Sequence, residues 1–187
     1  MEALVRGDDA VYSALMDEYY DGMRRLALSC VHDQDIADDV IQETWVAVVN
    51  GIDRFEGRSS LRTWVFRILL NLARRRANRE QRFVPFDAPV SGAASVEDAI
   101  SAEKWGAGQN PDDWIDGAQL VARVESALAT LPPAQRTVMT LRDIEGWSSQ
   151  EVCELLEISA ANQRVLLHRA RLRVRDALNP VHGPGVR

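Results

Sequence analysis

Cysteine is nearly absent: Cys30 and Cys153 are the only two in 187 residues. They are far apart and neither has a CxxC partner, which excludes a disulfide framework and a thiolate zinc site. A reducing compartment, the cytoplasm, is the expected setting. Histidine is confined to His32, His168 and His182, each isolated. No phosphate-binding glycine loop, nucleophile elbow or metal-ligand spacing occurs, so no enzyme and no cofactor or metal is expected. No apolar run approaches the roughly 18 residues of a membrane span, and residues 1–9 hold no apolar signal core. Strand-period alternation is also missing. The expected fold class is all-α, with two small helical domains joined by a flexible linker.

A basic excess is lacking too, since the net charge is −6. The charge is unevenly distributed, however. Residues 1–53 sum to −9, 54–82 to +7, 83–120 to −6, 121–161 to −3 and 162–187 to +5. Two cationic blocks about a hundred residues apart in an acidic chain suit a polyanion that meets two separate surfaces. Of the 22 basic residues only Lys104 is lysine.

Helical spacing is legible along both ends of the chain. Val11, Leu15, Tyr19, Met23 and Leu26 define a first helix over about 9–29. Asp33 is a candidate N-cap for a second, with a buried stripe of Ile36, Val40, Ile41, Trp45, Val48 and Val49, ended by Gly51. Ser59 or Ser60 caps a third, whose apolar face is Leu61, Trp64, Val65, Ile68, Leu69 and Leu72 and which continues into Arg74-Arg75-Arg76. Proline, glycine and serine from Pro85 to about residue 112 read as a linker. In it, Trp105 and Trp114 either fold back on a domain edge or offer a docking point.

Helical signal returns with Leu120, Val121, Val124 and Leu128. Pro133 suits the first position of the next helix, which carries Val138, Met139 and Leu141 and stops near Glu145-Gly146. Ser148 and Glu151 form a capping box. A short helix to Leu156, a turn at Glu157-Ile158-Ser159 and a last helix to about Leu178 make a helix-turn-helix. Its second helix opens with Asn162, Gln163 and Arg164, side-chain types that reach base edges. Later arginines suit phosphates. Of Val165, Leu166 and Leu167, helical geometry leaves at least one outside a small core unless earlier helices wrap that end. In residues 54–82 arginines alternate with Phe55, Trp64 and Phe66, a composition for unpaired bases, although Trp64 also fits the core stripe. Asp38, Asp39 and Glu43 read as a solvated acidic face or a patch for a basic protein.

The run Asp35–Trp45 resembles the region 2.2 helix of extracytoplasmic-function sigma factors. The run Arg54–Trp64 resembles their region 2.3 loop and helix. Leu131–Arg136 and Ser148–Arg171 resemble their region 4. The resemblance implies an initiation factor that binds RNA polymerase core (β′ clamp and β flap) and promoter DNA, without membrane insertion, and that is held by an anti-sigma protein. It implies domains at 1–84 and 118–180, a linker at 85–117 and a tail at 181–187. Core binding would fall to Asp38, Asp39, Gln42 and Glu43. Capture of a flipped −10 base and the melted strand would fall to Phe55, Arg58, Ser59, Ser60, Trp64, Arg67, Asn71, Arg74, Arg75 and Arg76. Reading of the −35 element would fall to Ser159, Asn162, Gln163, Arg164, His168, Arg169 and Arg171. Glu157 stands where the family's turn carries glycine. Gln163 stands at an apolar place, Val165 and Leu166 at polar ones. The same residues also fit a free-standing helix-turn-helix repressor or activator, which would bind duplex DNA tightly by itself.

Overall fold

The computed structural model describes residues 2–31, 33–79 and 117–178. The linker reading over residues 85–116, Trp105 and Trp114, His32, and the tail at 181–187 lie outside the described residues. Every regular element among the described residues is helical.

A short helix α1 (Glu2–Val5) precedes three long ones, α2 (Asp9–Val31), α3 (Gln34–Gly51) and α4 (Leu61–Arg79), which pack against one another as the N-terminal bundle. Local polar chemistry starts each long helix. The Asp8 carboxylate accepts from the Ala10 and Val11 amides at 3.1 and 3.3 Å. Asp33, in extended conformation, accepts from the Ile36 amide at 3.1 Å. Ser60 rather than Ser59 caps α4, accepting from the Thr63 amide at 3.0 Å. Each oxygen satisfies an N–H that the first helical turn leaves without a partner.

Met23, Leu26, Val40, Ile41, Val48, Val65, Leu69 and Leu70 fill the bundle. Two positions of the expected stripes are corrected. Val11 faces outward and Tyr12 is buried in its place. Val49 lies outside, half exposed, because Val48 already occupies the inward position one residue earlier on the helix. Gly51 does not stop the chain with a left-handed residue. Its φ is −120°, and the chain continues into a 3-10 turn, Ile52–Arg54. The Trp64 ring lies beside it, 3.6 Å from where a β-carbon would stand.

The C-terminal bundle comprises α5 (Gly117–Ala129), α6 (Pro133–Met139), a π turn (Thr140–Ile144), α7 (Ser149–Leu156) and α8 (Ala160–Leu178). Pro133 opens α6 as expected. Buried Arg136 donates to the carbonyls of Ala129 and Leu131 at 2.5 and 3.0 Å, taking up acceptors at the end of α5. Burial lowers its guanidinium pKa. The helix bearing Val138, Met139 and Leu141 changes to π geometry at Thr140: the Glu145 amide bonds Thr140 O, five residues back, at 2.9 Å. Gly146 then turns left-handed, with φ +68°. α8 is the spine against which α5, α6 and α7 pack.

The two bundles meet. α2 lies against α6 and the π turn, and α4 lies against α7.

Candidate nucleic-acid interface

The loop between the 3-10 turn and α4 is anchored at its base and open at its tip. Ile52 is buried, and half-buried Phe55 lies tilted on Trp64 with ring centroids 5.3 Å apart. Gly57 has φ +70° with open space around it, a conformation glycine adopts without a steric penalty. The fully exposed Arg58 pairs with Glu56 at 2.5 Å. Ser59 donates to Ser60 O at 3.3 Å, and the Ser60 oxygen is engaged in the cap. Trp64 is thus both packed and half exposed, whereas Phe66 is core.

Along α4 the expected cations differ in their surroundings. Asn71 and Arg75 are exposed, and Arg74 is half-buried. Arg76 is ion-paired with Glu43 of α3. Arg67 donates to the Glu154 carbonyl of α7 at 2.9 Å. Two expected partners of different ligands, Glu43 and Arg76, therefore hold each other.

On α3, Asp39, Gln42 and Glu43 share an exposed face, while Asp38 is drawn toward Arg24 at 3.8 Å. The face continues into Val46 and Val49, 61% and 50% exposed. These two valines were not among the sequence-based candidates. Their signal is the i, i+3, i+4, i+7 spacing of 39, 42, 43 and 46, which marks one helical stripe.

The helix-turn-helix closes as its polar residues dictate. Ser148 accepts from the Glu151 amide at 3.2 Å and donates its own amide to the Glu151 carboxylate at 2.8 Å, completing the capping box. The Ser148 contacts hold the Glu151 carboxyl below the ordinary glutamate range. Glu157 is left-handed, with φ 59° and ψ 43°, so the turn forms without glycine. Ile158 is buried after it, and Ser159 caps α8 by accepting from the Asn162 amide at 3.1 Å.

Gln163 is a correction. It is 2% exposed, and its amide oxygen accepts from the Ser149 hydroxyl at 2.9 Å. The position is interior, and a buried amide needs such a partner. Its side chain joins the two helices of the motif and does not reach the surface that a base would meet. Leu166 and Leu167 are buried, and Val165 is half-buried. Ser159 and Arg164 are exposed, whereas Asn162, His168 and Arg169 are half-buried. Arg171 is engaged elsewhere, in a bidentate pair with Asp143 at 2.7 and 2.9 Å, which raises its pKa. Ala160 and Ala161 are exposed beside Arg164, small apolar surfaces of the kind that meets a thymine methyl. Of the cysteines, Cys30 is buried, and burial pushes its thiol pKa up; Cys153 is only half-buried.

Among the described residues no three His, Cys, Asp or Glu side chains gather at metal-holding distance, and no helix is long and apolar enough to cross a membrane.

The arrangement of a three-helix bundle with an acidic-apolar face and an aromatic-basic loop, followed by a helix-turn-helix, is that of a bipartite promoter-binding protein. Residues 15–83 match the family model described as "Sigma-70 region 2", and residues 122–174 match "Sigma-70, region 4". The chain is 28% identical over 184 residues to the RNA polymerase sigma-H factor of Pseudomonas aeruginosa, covering 97% of this chain and 93% of that protein. It is 26% identical over 187 residues to the ECF RNA polymerase sigma-E factor of Escherichia coli K12, with the same coverage. In fold it is similar to CnrH solved in complex with the cytosolic domain of CnrY (TM-score 0.64, 23% identity, 97% of this chain and 96% of that one). It is also similar to the sigma factor RpoE solved with the anti-sigma factor NepR from Bartonella quintana (TM-score 0.64, 21% identity, 91% and 98%). The chain belongs to the sigma-70 family, in its extracytoplasmic-function branch. It is a sigma factor that directs RNA polymerase to promoters.

Proposed function

We propose a division of labour between region 2 (residues 1–84) and region 4 (118–180), joined by a linker at 85–117 and followed by a tail at 181–187. The exposed stripe Asp39, Gln42, Glu43 and Val46 on α3, with Asp38 at its edge, docks on the β′ clamp of core polymerase, and region 4 docks on the β flap. Charge reaches that docking surface from the carboxylates, and apolar contact comes from Val46 and Val49. The loop Phe55–Ser60 takes a flipped base of the −10 element, which requires unstacking at a cost of a few kcal/mol. Arg58 is its exposed donor, and Phe55 with Trp64 is its aromatic floor. Asn71, Arg74 and Arg75 hold the melted strand. Arg164 leads the reading of the −35 element, flanked by Ser159, Asn162, His168 and Arg169. Arg76 and Arg171 serve these surfaces by positioning, through Glu43 and Asp143.

The factor has no bond-making chemistry of its own and acts in the cytoplasm, joining the nucleoid within the holoenzyme. An anti-sigma protein restrains it, as NepR is found on RpoE.

The observation that carries this reading is the presence of two cationic surfaces on separate bundles, the first preceded along the chain by an acidic-apolar face on α3. Run-off transcription with reconstituted core on native genomic fragments tests it. RNA starting at discrete sites is the expected result, and no RNA from any template would refute it. A tight shift of intact duplex by the protein without core would favour a free-standing regulator.

A further inference from the structure

Three apolar residues in a row, Val165, Leu166 and Leu167, cannot share one side of a helix, since each residue advances it by about 100°. α8 turns Leu166 and Leu167 inward, on the same buried side as Gln163, Ala170 and Val174. Val165 is left on the other side, half-buried and outside the hydrophobic core. By helical advance, Val165 and the exposed Ala161 stand roughly opposite Gln163 and Ala170. They form a small apolar ridge along the outer face of α8. Arg164 and His168 flank the ridge on one side, and Asn162 and Arg169 flank it on the other. The centre of the surface proposed to read the −35 element is therefore aliphatic. Two polar side chains nearby are engaged within the protein: Ser159 caps α8 at 3.1 Å, and Gln163 accepts from Ser149 at 2.9 Å.

We infer that Val165, with Ala161 beside it, reads the C5-methyl group of a thymine in the −35 element, within about two base-pair steps of a guanine held by Arg164. The inference rests on the assignment of α8 to that element and names what the helix selects there. In the major groove thymine alone offers a methyl group, and guanine offers the paired acceptors that suit arginine. An aliphatic side chain pressed on a polar base edge removes its water and returns no hydrogen bond, which is costly. The ridge thus favours thymine and disfavours the alternatives. Ala161 and Val165 are about 6 Å apart along the helix axis, and stacked base pairs are roughly 3.4 Å apart. The ridge spans about two base-pair steps, with Arg164 inside that span.

The surroundings favour DNA over a protein as the occupant of the ridge. Arginines stand on both sides of it, and residues 162–187 sum to +5, a setting for a polyanion. A helix that met phosphates alone would need no apolar centre. Valine is a poorer helix former than alanine, leucine or arginine, so its place on an outer face is not explained by helix stability. Its branch also holds χ1 to one strongly preferred rotamer in a helix. The two methyl groups are therefore fixed before DNA arrives, and little side-chain freedom is lost on contact.

Deoxyuridine tests the contact, because it differs from thymidine only in lacking the methyl group. The full-length protein is assembled with core polymerase, and a promoter found by run-off transcription is randomised over its −35 element. Templates bound by the holoenzyme should carry a guanine with a thymine one or two steps away. Each −35 thymine of a selected promoter, on either strand, is then replaced singly by deoxyuridine. Binding by the holoenzyme should weaken roughly fourfold at one position, the worth of one buried methyl-sized group. With Val165→Ala the thymidine and deoxyuridine templates should bind nearly alike at that position, whereas Val165→Ile should keep the difference. Such a cycle isolates the coupling between the side chain and the methyl group. Preference for the guanine should persist in both variants, which shows that the recognition helix is folded and docked. No enriched thymine, no position sensitive to the methyl group, or equal sensitivity in Val165→Ala would each overturn the inference. A loss in Val165→Ala of the same size on both templates, with the methyl effect retained, would place polymerase rather than DNA on the ridge and overturn it too. If the parent gives no promoter-dependent RNA, the sigma assignment fails; if the parent transcribes and is indifferent to the methyl group, only the role of Val165 fails.

Discussion

Replacing Glu157 by glycine should stabilise this protein, although it removes a side chain and adds none. Glu157 is the only non-glycine residue with positive φ among the described residues. An L-residue in the left-handed region costs roughly 1–2 kcal/mol through the clash of its β-carbon with the backbone. Glycine avoids that clash but loses more chain entropy on folding, roughly 0.5–1 kcal/mol relative to alanine. The difference leaves a net gain of about 0.5–1 kcal/mol. The Glu157 carboxylate makes no hydrogen bond or ion pair among the described residues, so nothing else is lost. The turn's own bonds, from the Glu157 and Ile158 amides to Cys153 O, involve backbone only and remain. Urea unfolding followed by far-ultraviolet circular dichroism should show the gain, as should a rise in Tm of roughly 1–4 °C for a chain of this size. Glu157→Val should lose stability, since a β-branched residue tolerates positive φ poorly. If Glu157→Gly left the midpoint unchanged or lowered it, the backbone reasoning would be refuted.

Other outcomes separate positioning from contact. Arg164→Ala should relax the choice of base at one −35 position by about 1–3 kcal/mol in binding assays with holoenzyme, whereas Arg171→Ala should lower stability and weaken all promoter sequences alike. Asp39→Arg together with Gln42→Arg should abolish co-purification with core while leaving the helical spectrum intact; Glu43 is the poorer choice because its reversal also breaks the pair with Arg76. Ser148→Ala should destabilise the helix-turn-helix by about 1 kcal/mol at neutral pH. The Glu151 carboxyl is held below its unfolded value, so its contribution is present above the ordinary glutamate range and is lost as pH falls through the folded pKa. Glu151→Gln should therefore be less stable than the parent at pH 7, with the gap closing as pH falls below the ordinary glutamate range, read from urea midpoints.

What could be read from the chain alone was whatever depends on near neighbours. Asp33, Ser148 with Glu151, and Ser159 cap helices because an oxygen of the right reach stands two or three residues before an unpaired amide. The helix-turn-helix followed from such signals, and with it the exposed Arg164. Phase errors appeared where apolar residues are adjacent. Beside Val48, the sequence does not reveal that Val49 is turned outward, and Tyr12 displaces Val11 for the same reason. Gln163 looked like a base reader because its side chain is polar; its burial depends on Ser149, fourteen residues earlier and on another helix. Glu157 took the left-handed turn against its preference because Leu155, Leu156 and Ile158 around it are all buried. The seam between the two bundles was invisible altogether. No short-range pattern links Ser29 to Thr137, or Gly22 and Arg25 to Glu145.

The π turn at Thr140–Ile144 fits one more residue into a helical turn than an α-helix holds. Each residue advances an α-helix by about 100°, so that single widened loop decides the azimuth of everything downstream. With a regular turn there, the carboxylate at 145 and the indole at 147 would swing about a quarter of a circle away from Gly22 and Phe66, which they now meet in the N-terminal bundle. The helix-turn-helix itself would be intact, yet no longer aimed at its neighbour. Shortening that loop by one residue would thus alter both how the helix-turn-helix sits on α5 and α6 and how the two halves of the factor address each other.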